Sequence, residues 1–156
     1  MAGEKLIASN PKAKSNYFIE GVIEAGIALT GTEIKSLRIA TPNIKESYVD
    51  IRSDPKGQFQ AFWVQATIPE YPNGNRWNHE PTRERRLLMH RREIDRLYGQ
   101  VNQKGKTLIA LRLYLKNGKA KLEVGLGKGK KKHDKRETIK QKSADLEMKR
   151  ALKRQR

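Results

Sequence analysis

Site chemistry needs particular residue types at workable spacings, and this sequence offers few. Its three histidines, His79, His90 and His133, form no HExxH pair, and no two lie close in sequence, so nothing marks a metal site. His79 and Glu80 sit in a proline-rich stretch, where an exposed histidine is expected. The chain has no cysteine, which rules out disulfides, thiolate nucleophiles and cysteine-ligated zinc. Gly125, Gly127 and Gly129 precede lysines and invite a phosphate-loop reading. Such a loop needs GxxxxGK followed by Ser or Thr, and here Lys130 is followed by Lys131 and Lys132. No Ser or Thr stands in a nucleophile-elbow context. The expectation is a protein with no catalytic residue, no metal and no cofactor, and so not an enzyme.

Binding is better supported. The formal net charge is +17, far beyond what solubility requires, and a charge of that size concentrates polyanions, of which nucleic acid is the commonest in a cell. Arg83, Arg85, Arg86, Arg91 and Arg92 crowd around Leu87 and Leu88. They form either a guanidinium cluster for phosphates and planar stacking or a solvated helix face. Glu24 lies among Gly21, Gly26 and Gly31, where a backbone or ligand can approach closely. Its carboxylate either accepts from base amino groups or a 2′-OH, or pairs with a neighbouring arginine. Of Tyr17, Phe18, Phe59, Phe62 and Trp63, about half should face a core and the rest could stack on bases. Trp77, beside Arg76 and Asn78, is expected to be exposed or docked at a partner.

The elements that must position these residues are mostly strands. Residues 17–29 are rich in β-formers. Thr30 and Glu33 have capping-box spacing ahead of Ile34 and Leu37, and Pro42 closes that helix. The alternating runs 47–52 and 58–68 flank a DPKG turn and read as a hairpin. Residues 69–85 are a loop by composition, after which Thr82 could cap a short helix carrying Leu87 and Leu88. Ile94, Leu97, Tyr98 and Val101 share one helical face, with Gly105 as the stop. The runs TLIALRLYL and KAKLEVGL flank KNGK, the strongest hairpin signal in the chain.

The reading is a mostly β, α+β domain: a small closed antiparallel OB-like β-barrel of about six strands with two or three short helices and a flexible basic C-terminal tail. Closure removes exposed sheet edges. Charge places the boundary. Residues 128–156 carry 13 Lys or Arg against 4 Asp or Glu. They have too few apolar residues to offset the entropy of ordering, so alone they are expected to be disordered. The domains are thus 1–127, a binding barrel, and 128–156, a basic tail released by glycines 125, 127 and 129. Within the tail, Asp134 and Glu137 lie toward one end and Lys149, Arg150, Lys153 and Arg154 toward the other, a polarity that suits a helix dipole. No apolar window is long enough to span a bilayer and the N-terminus carries no secretory signal, so a cytoplasmic protein with no membrane partner is expected.

Taken together, the stretches EAGIALTGTEIKSLR, PTRERRLLMHRREIDRLYG and KNGKAKLEVGLGKGKKKHDKRETIK closely resemble the SmpB family. The combination of GTE-IKS-R with KGKK-x-HDKR is specific to it, and the resemblance runs in order from about residue 10 to 142. It implies binding to the transfer-RNA-like domain of transfer-messenger RNA and, with elongation factor Tu, delivery to stalled ribosomes for nascent-peptide tagging and release. It further implies that the tail lies on small-subunit ribosomal RNA, in the decoding centre and the empty messenger channel, and is partly helical there. By family motif, Asn10, Glu24 and Leu88 match positions implicated in RNA binding, and the Arg85–Arg86 cluster becomes a phosphate surface. Lys131, Lys132, His133, Asp134, Lys135 and Arg136 match the tail motif, with His133 standing where many relatives carry tyrosine. The protein is expected to be a monomer. A generic ribosomal-RNA-binding or ribosome-assembly protein is the alternative, using the same barrel and tail.

Overall fold

The computed structural model describes residues 3–130 and 132–154. Seven antiparallel strands form one sheet: β1 (Glu4–Ser9), β2 (Tyr17–Ile27), β3 (Tyr48–Ser53), β4 (Phe59–Val64), β5 (Arg85–Leu88), β6 (Thr107–Lys116) and β7 (Lys119–Gly129). The spatial order is β1-β6-β3-β4-β5-β2-β7, and β6 also pairs with β7. That last pairing closes six strands into a barrel, as expected, and leaves β1 as an appendage. One edge of β6 is shared: Leu108 and Ile109 pair with β3, whereas Arg112 to Lys116 pair with β1. Strand β1 was not anticipated from the sequence.

Local chemistry accounts for the junctions. Asn117 (φ 54°) and Gly118 (φ 76°) give the two left-handed residues that a tight β6–β7 hairpin requires. Register shifts between Ile19 and Gly21 in β2 and between Ala110 and Arg112 in β6 bend the long strands toward closure. Helix α1 (Ala13–Asn16) is a single turn. Helix α2 (Gly31–Ile39) opens on the expected capping box: the Glu33 amide donates to Thr30 Oγ1 at 3.3 Å, and the Thr30 amide donates to Glu33 Oε1 at 2.9 Å. Helix α3 (Arg91–Lys104) ends at Gly105, φ 62°, and buries Ile94 and Leu97 against the barrel interior with Trp63, Leu113 and Leu122.

Two expectations are corrected. Leu87 and Leu88 lie on β5, not on a helix capped by Thr82, because Arg86 pairs with Phe62 and Leu88 with Gly26. Gly125, Gly127 and Gly129 lie inside β7 rather than in a linker. A Cβ on Gly125 would stand 2.9 Å from Leu111 Cδ1, and one on Gly127 would stand 3.2 Å from Ile109, Ile19 and the Phe18 carbonyl. Leu111 and Ile109 pack with Ala13 in a second small core outside the barrel, so these glycines serve close packing. Gly125→Val is expected to overpack that cluster and lower stability by about 1–3 kcal/mol, read as a shift in the urea midpoint. An unchanged midpoint would return Gly125 to a linker role.

The tail forms α4 (Lys132–Arg154). Its Ile139, Leu146, Met148 and Leu152 are all exposed. Its helical form therefore rests on propensity and end charges more than on burial. Among the described residues no helix is long and apolar enough to cross a membrane.

Candidate nucleic-acid interface

Strand alternation sorts the arginine cluster. On β5, Arg85 and Leu87 point inward while Arg86 and Leu88 point outward. Leu88 is 56% exposed although its neighbour Leu87 is buried. On β2 the same alternation turns Glu24 and Gly26 outward. Gly26 pairs with Leu88, and a Cβ on it would stand 3.3 Å from Leu88 Cβ, so the absent side chain leaves room for Leu88 beside the strand. Glu24, Gly26, Arg86, Leu88, His90 and Lys121 line one open cleft of about 490 Å³. Helix α3 begins at its wall, where His90 is the N-cap and its side chain makes no capping hydrogen bond. The helix's positive end thus adds to the cationic side chains.

Glu24 is the acidic side chain on the β2 wall of that cleft. Its partners are not the neighbouring arginine of the alternative reading: Tyr114 Oη donates to Glu24 Oε2 and Lys116 Nζ stands 3.6 Å away, and the side chain stays 38% exposed. The Tyr114 hydrogen bond, with smaller help from Lys116 and Lys121 and against some burial, holds its pKa below the ordinary carboxylate range. Burial, followed by the same hydrogen bond, pushes the Tyr114 pKa up. The result is a fixed acceptor in a cationic cleft, with an apolar leucine beside it. Such a surface can hold phosphates through Arg86, Arg91 and Lys121, accept from a 2′-OH or a base amino group at Glu24, and cover a sugar or base face with Leu88.

Arg85 must be withdrawn from this surface. It is fully buried, with Nε donating to Glu33 Oε2 at 2.5 Å, Nη1 to the Ala66 carbonyl at 3.0 Å and Nη2 to the Pro81 carbonyl at 2.9 Å. Arg83 Nη2 donates to the other Glu33 oxygen at 2.6 Å. Buried and held by these partners, the guanidinium has no path to a phosphate at the surface. Asn10 is largely buried and acts as a clamp. It is 7% exposed, its Nδ2 donates to the Ala110 carbonyl at 3.0 Å and the Lys45 carbonyl at 3.3 Å, and its amide donates to Leu111. An effect of Asn10 on binding would act through the placement of β6.

His79, expected at the surface, is buried, with Nε2 donating to the Ile68 carbonyl at 2.9 Å and Nδ1 at 2.9 Å from Thr32 Oγ1. Of the aromatics, Trp63 is core, Phe59 stacks on Tyr98 at 3.9 Å, and Phe18 is exposed with Lys130 over its ring at 4.9 Å. Lys131 lies outside the described residues, as do the side chains of Lys132, His133, Asp134 and Lys135. Arg136 is exposed on α4. Sequence reasoning missed Tyr114, Lys116 and Lys121 as partners of Glu24, because only the β6–β7–β2 register brings them to it.

A family model described as "SmpB protein" matches residues 7–154. The chain is 54% identical over 149 residues to the SsrA-binding protein of Oceanobacillus iheyensis, spanning 96% of this chain and 94% of that one. It is 51% identical to the SsrA-binding protein of Shouchella clausii, spanning 96% and 92%, and 52% identical to that of Bradyrhizobium diazoefficiens, spanning 95% and 92%. A chain from a solved structure described as "tmRNA-SmpB: a journey to the center of the bacterial ribosome" superposes with a TM-score of 0.64 at 37% identity, covering 85% of this chain and 93% of that one.

Proposed function

The chain belongs to the SmpB family, and from that premise we propose that it is an RNA-binding adaptor for ribosome rescue by trans-translation. The barrel binds the transfer-RNA-like domain of transfer-messenger RNA through the cleft of Glu24, Arg86 and Leu88. With elongation factor Tu the complex is delivered, in the cytoplasm and with the protein as a monomer, to ribosomes stalled without a codon, where the tail meets small-subunit ribosomal RNA. The tail, from Lys131 through Arg136 and on along α4, occupies the decoding centre and the empty messenger channel in place of codon–anticodon pairing. The protein itself catalyses no step.

The observation that carries this reading is the juxtaposition in one cleft of an exposed Leu88, a carboxylate held ionised and cations from three elements. A purely structural cluster would bury the leucine, and a merely adhesive basic surface has no use for a fixed acceptor. Phosphate contacts supply affinity and its salt dependence, and the acceptor and apolar contact supply fit.

RNA recovered with the protein from cells tests it. Enrichment of transfer-messenger RNA over ribosomal RNA is expected. Recovery of ribosomal RNA alone would favour a generic ribosome-assembly protein. Arg86→Ala should weaken binding to the transfer-RNA-like fragment and reduce the slope of log affinity against log salt by about one, the signature of one lost phosphate contact. An unchanged slope would remove Arg86 from the interface.

A further inference from the structure

The loop between β4 and β5 is built with more care than a connection needs. Asn78 Oδ1 accepts from the Tyr71 amide at 3.1 Å and Asn78 Nδ2 donates to the Tyr71 carbonyl at 2.5 Å, closing a ring across the loop. The Gly74 amide donates to the Tyr71 carbonyl at 2.9 Å, and the Trp77 amide donates to the Gly74 carbonyl at 3.1 Å. A Cβ on Gly74 would stand 2.7 Å from Asn78 Nδ2 and 3.2 Å from Thr32 Cγ2, so a larger residue there would displace the amide that closes the ring. The buried His79 then rivets the loop's exit to Ile68 and to Thr32 of α2.

What this frame holds out is Trp77, 78% exposed. Singly exposed apolar residues are ordinary, but they are not ordinarily presented on a loop tip closed by its own side-chain hydrogen bonds and pinned at its exit. The guanidinium of Arg76 lies over the ring, 5.1 Å from its centroid. A cation backing one face leaves the other for a flat, electron-rich partner. The residues flanking Trp77 in sequence are polar or glycine: Asn73, Gly74, Asn75, Arg76 and Asn78. A protein-docking hot spot would sit in an apolar, water-excluding setting. Polar neighbours, a backing arginine and a net charge of +17 instead suit a nucleobase.

We propose that Arg76 and Trp77 form a preorganised stacking platform for one unpaired RNA base, a second RNA contact distinct from the Glu24–Leu88 cleft. The inference rests on the RNA-adaptor reading above. The base can come from transfer-messenger RNA or from ribosomal RNA, since the chemistry is the same.

The chain's two tryptophans allow a direct test, because Trp63 is fully buried. Wild type, Trp77→Phe and Trp77→Ala are titrated with three probes: the transfer-RNA-like fragment of transfer-messenger RNA, naked small-subunit ribosomal RNA, and proteins stripped from small subunits. One base stacked on one ring predicts a loss of roughly 5- to 100-fold in affinity for Trp77→Ala toward one of the two RNAs. That RNA quenches wild-type emission, and Trp77→Phe retains most of the affinity without the quench. Whichever RNA responds is the source of the base. Quenching by neither RNA, with both bound undiminished by Trp77→Ala, overturns the platform and leaves the adaptor reading standing. A loss confined to the ribosomal proteins overturns it in favour of protein docking. Failure of wild type to bind either RNA overturns both.

Discussion

Glu33→Gln lowers the stability of this barrel by about 3–5 kcal/mol, measured by urea unfolding at neutral pH. That is a large share of the ~5–15 kcal/mol that holds a typical domain together. Three interactions converge on the Glu33 carboxylate, which is fully buried: Arg85 at 2.5 Å, Arg83 at 2.6 Å and the Thr30 amide at 2.9 Å. Glutamine keeps the shape and one acceptor, but it leaves the Arg85 guanidinium charged and buried without a counter-ion. A guanidinium does not escape by losing its proton, so the penalty falls on folding. Charge reversal at Arg85 would unfold the protein for the same reason, so of the pair Arg85 and Arg86 only Arg86 is an informative site for probing the RNA surface.

The pH dependence carries the same signature. Burial alone would raise the Glu33 pKa, but hydrogen bonds from Arg83, Thr30 and Arg85 outweigh it and set the folded value below the ordinary 4.5. Between the folded and unfolded values the unfolded chain binds the extra proton, so stability rises with pH across that window. The contribution is full above about 4.5 and is lost as pH falls through the lower, native value. Wild type should show this acid limb, and Glu33→Gln should lack its share of it. A loss under 1 kcal/mol with the acid limb intact would mean that the cluster is not held by charge.

Removal of α4 abolishes peptide tagging and leaves the barrel folded. The cut belongs after Lys130, because β7 runs to Gly129 and the Lys130 amide donates to the Asn16 carbonyl at 2.8 Å. Ending the chain at Gly127, where composition draws the boundary, would remove the last rungs of the β2–β7 ladder, Phe18 with Lys128 and Tyr17 with Gly129. Among the described residues none of α4 belongs to either core cluster; α4 meets α1, where Lys142 Nζ reaches Ser15 Oγ at 3.3 Å, an exposed contact worth little. Truncated protein should therefore keep its urea midpoint while tagging on stalled ribosomes falls to background. Tagging at wild-type levels would remove the tail from the mechanism.

Legibility in the sequence followed locality. The Asn117–Gly118 turn, the Thr30–Glu33 box and the α3 period are each set by a few adjacent residues, and each stands where expected. Strand β5 was misread because RRLL is too short to carry a period, and its state is decided by Phe62 and Gly26 on neighbouring strands. Arg85 followed it into error: on a strand, alternation puts Arg85 inside with Leu87, and a buried arginine demands the carboxylate that Glu33 supplies. Gly125 and Gly127 looked flexible because the side chains that exclude a Cβ, Leu111 and Ile109, come from β6. Leu88 was placed at the surface by the family resemblance and is exposed. Asn10 came from the same resemblance but is a buried clamp, so a motif position carried no information on whether its effect is direct.

The division of labour between barrel and tail is tested most directly by one comparison. Affinity for the transfer-RNA-like fragment of transfer-messenger RNA is measured for the full chain and for residues 1–130 at one salt concentration. The cleft of Glu24, Arg86 and Leu88 lies wholly within the shorter chain, so the two affinities should agree within a few-fold. Loss of most of the affinity on removing α4 would make the tail the RNA anchor and contradict the account.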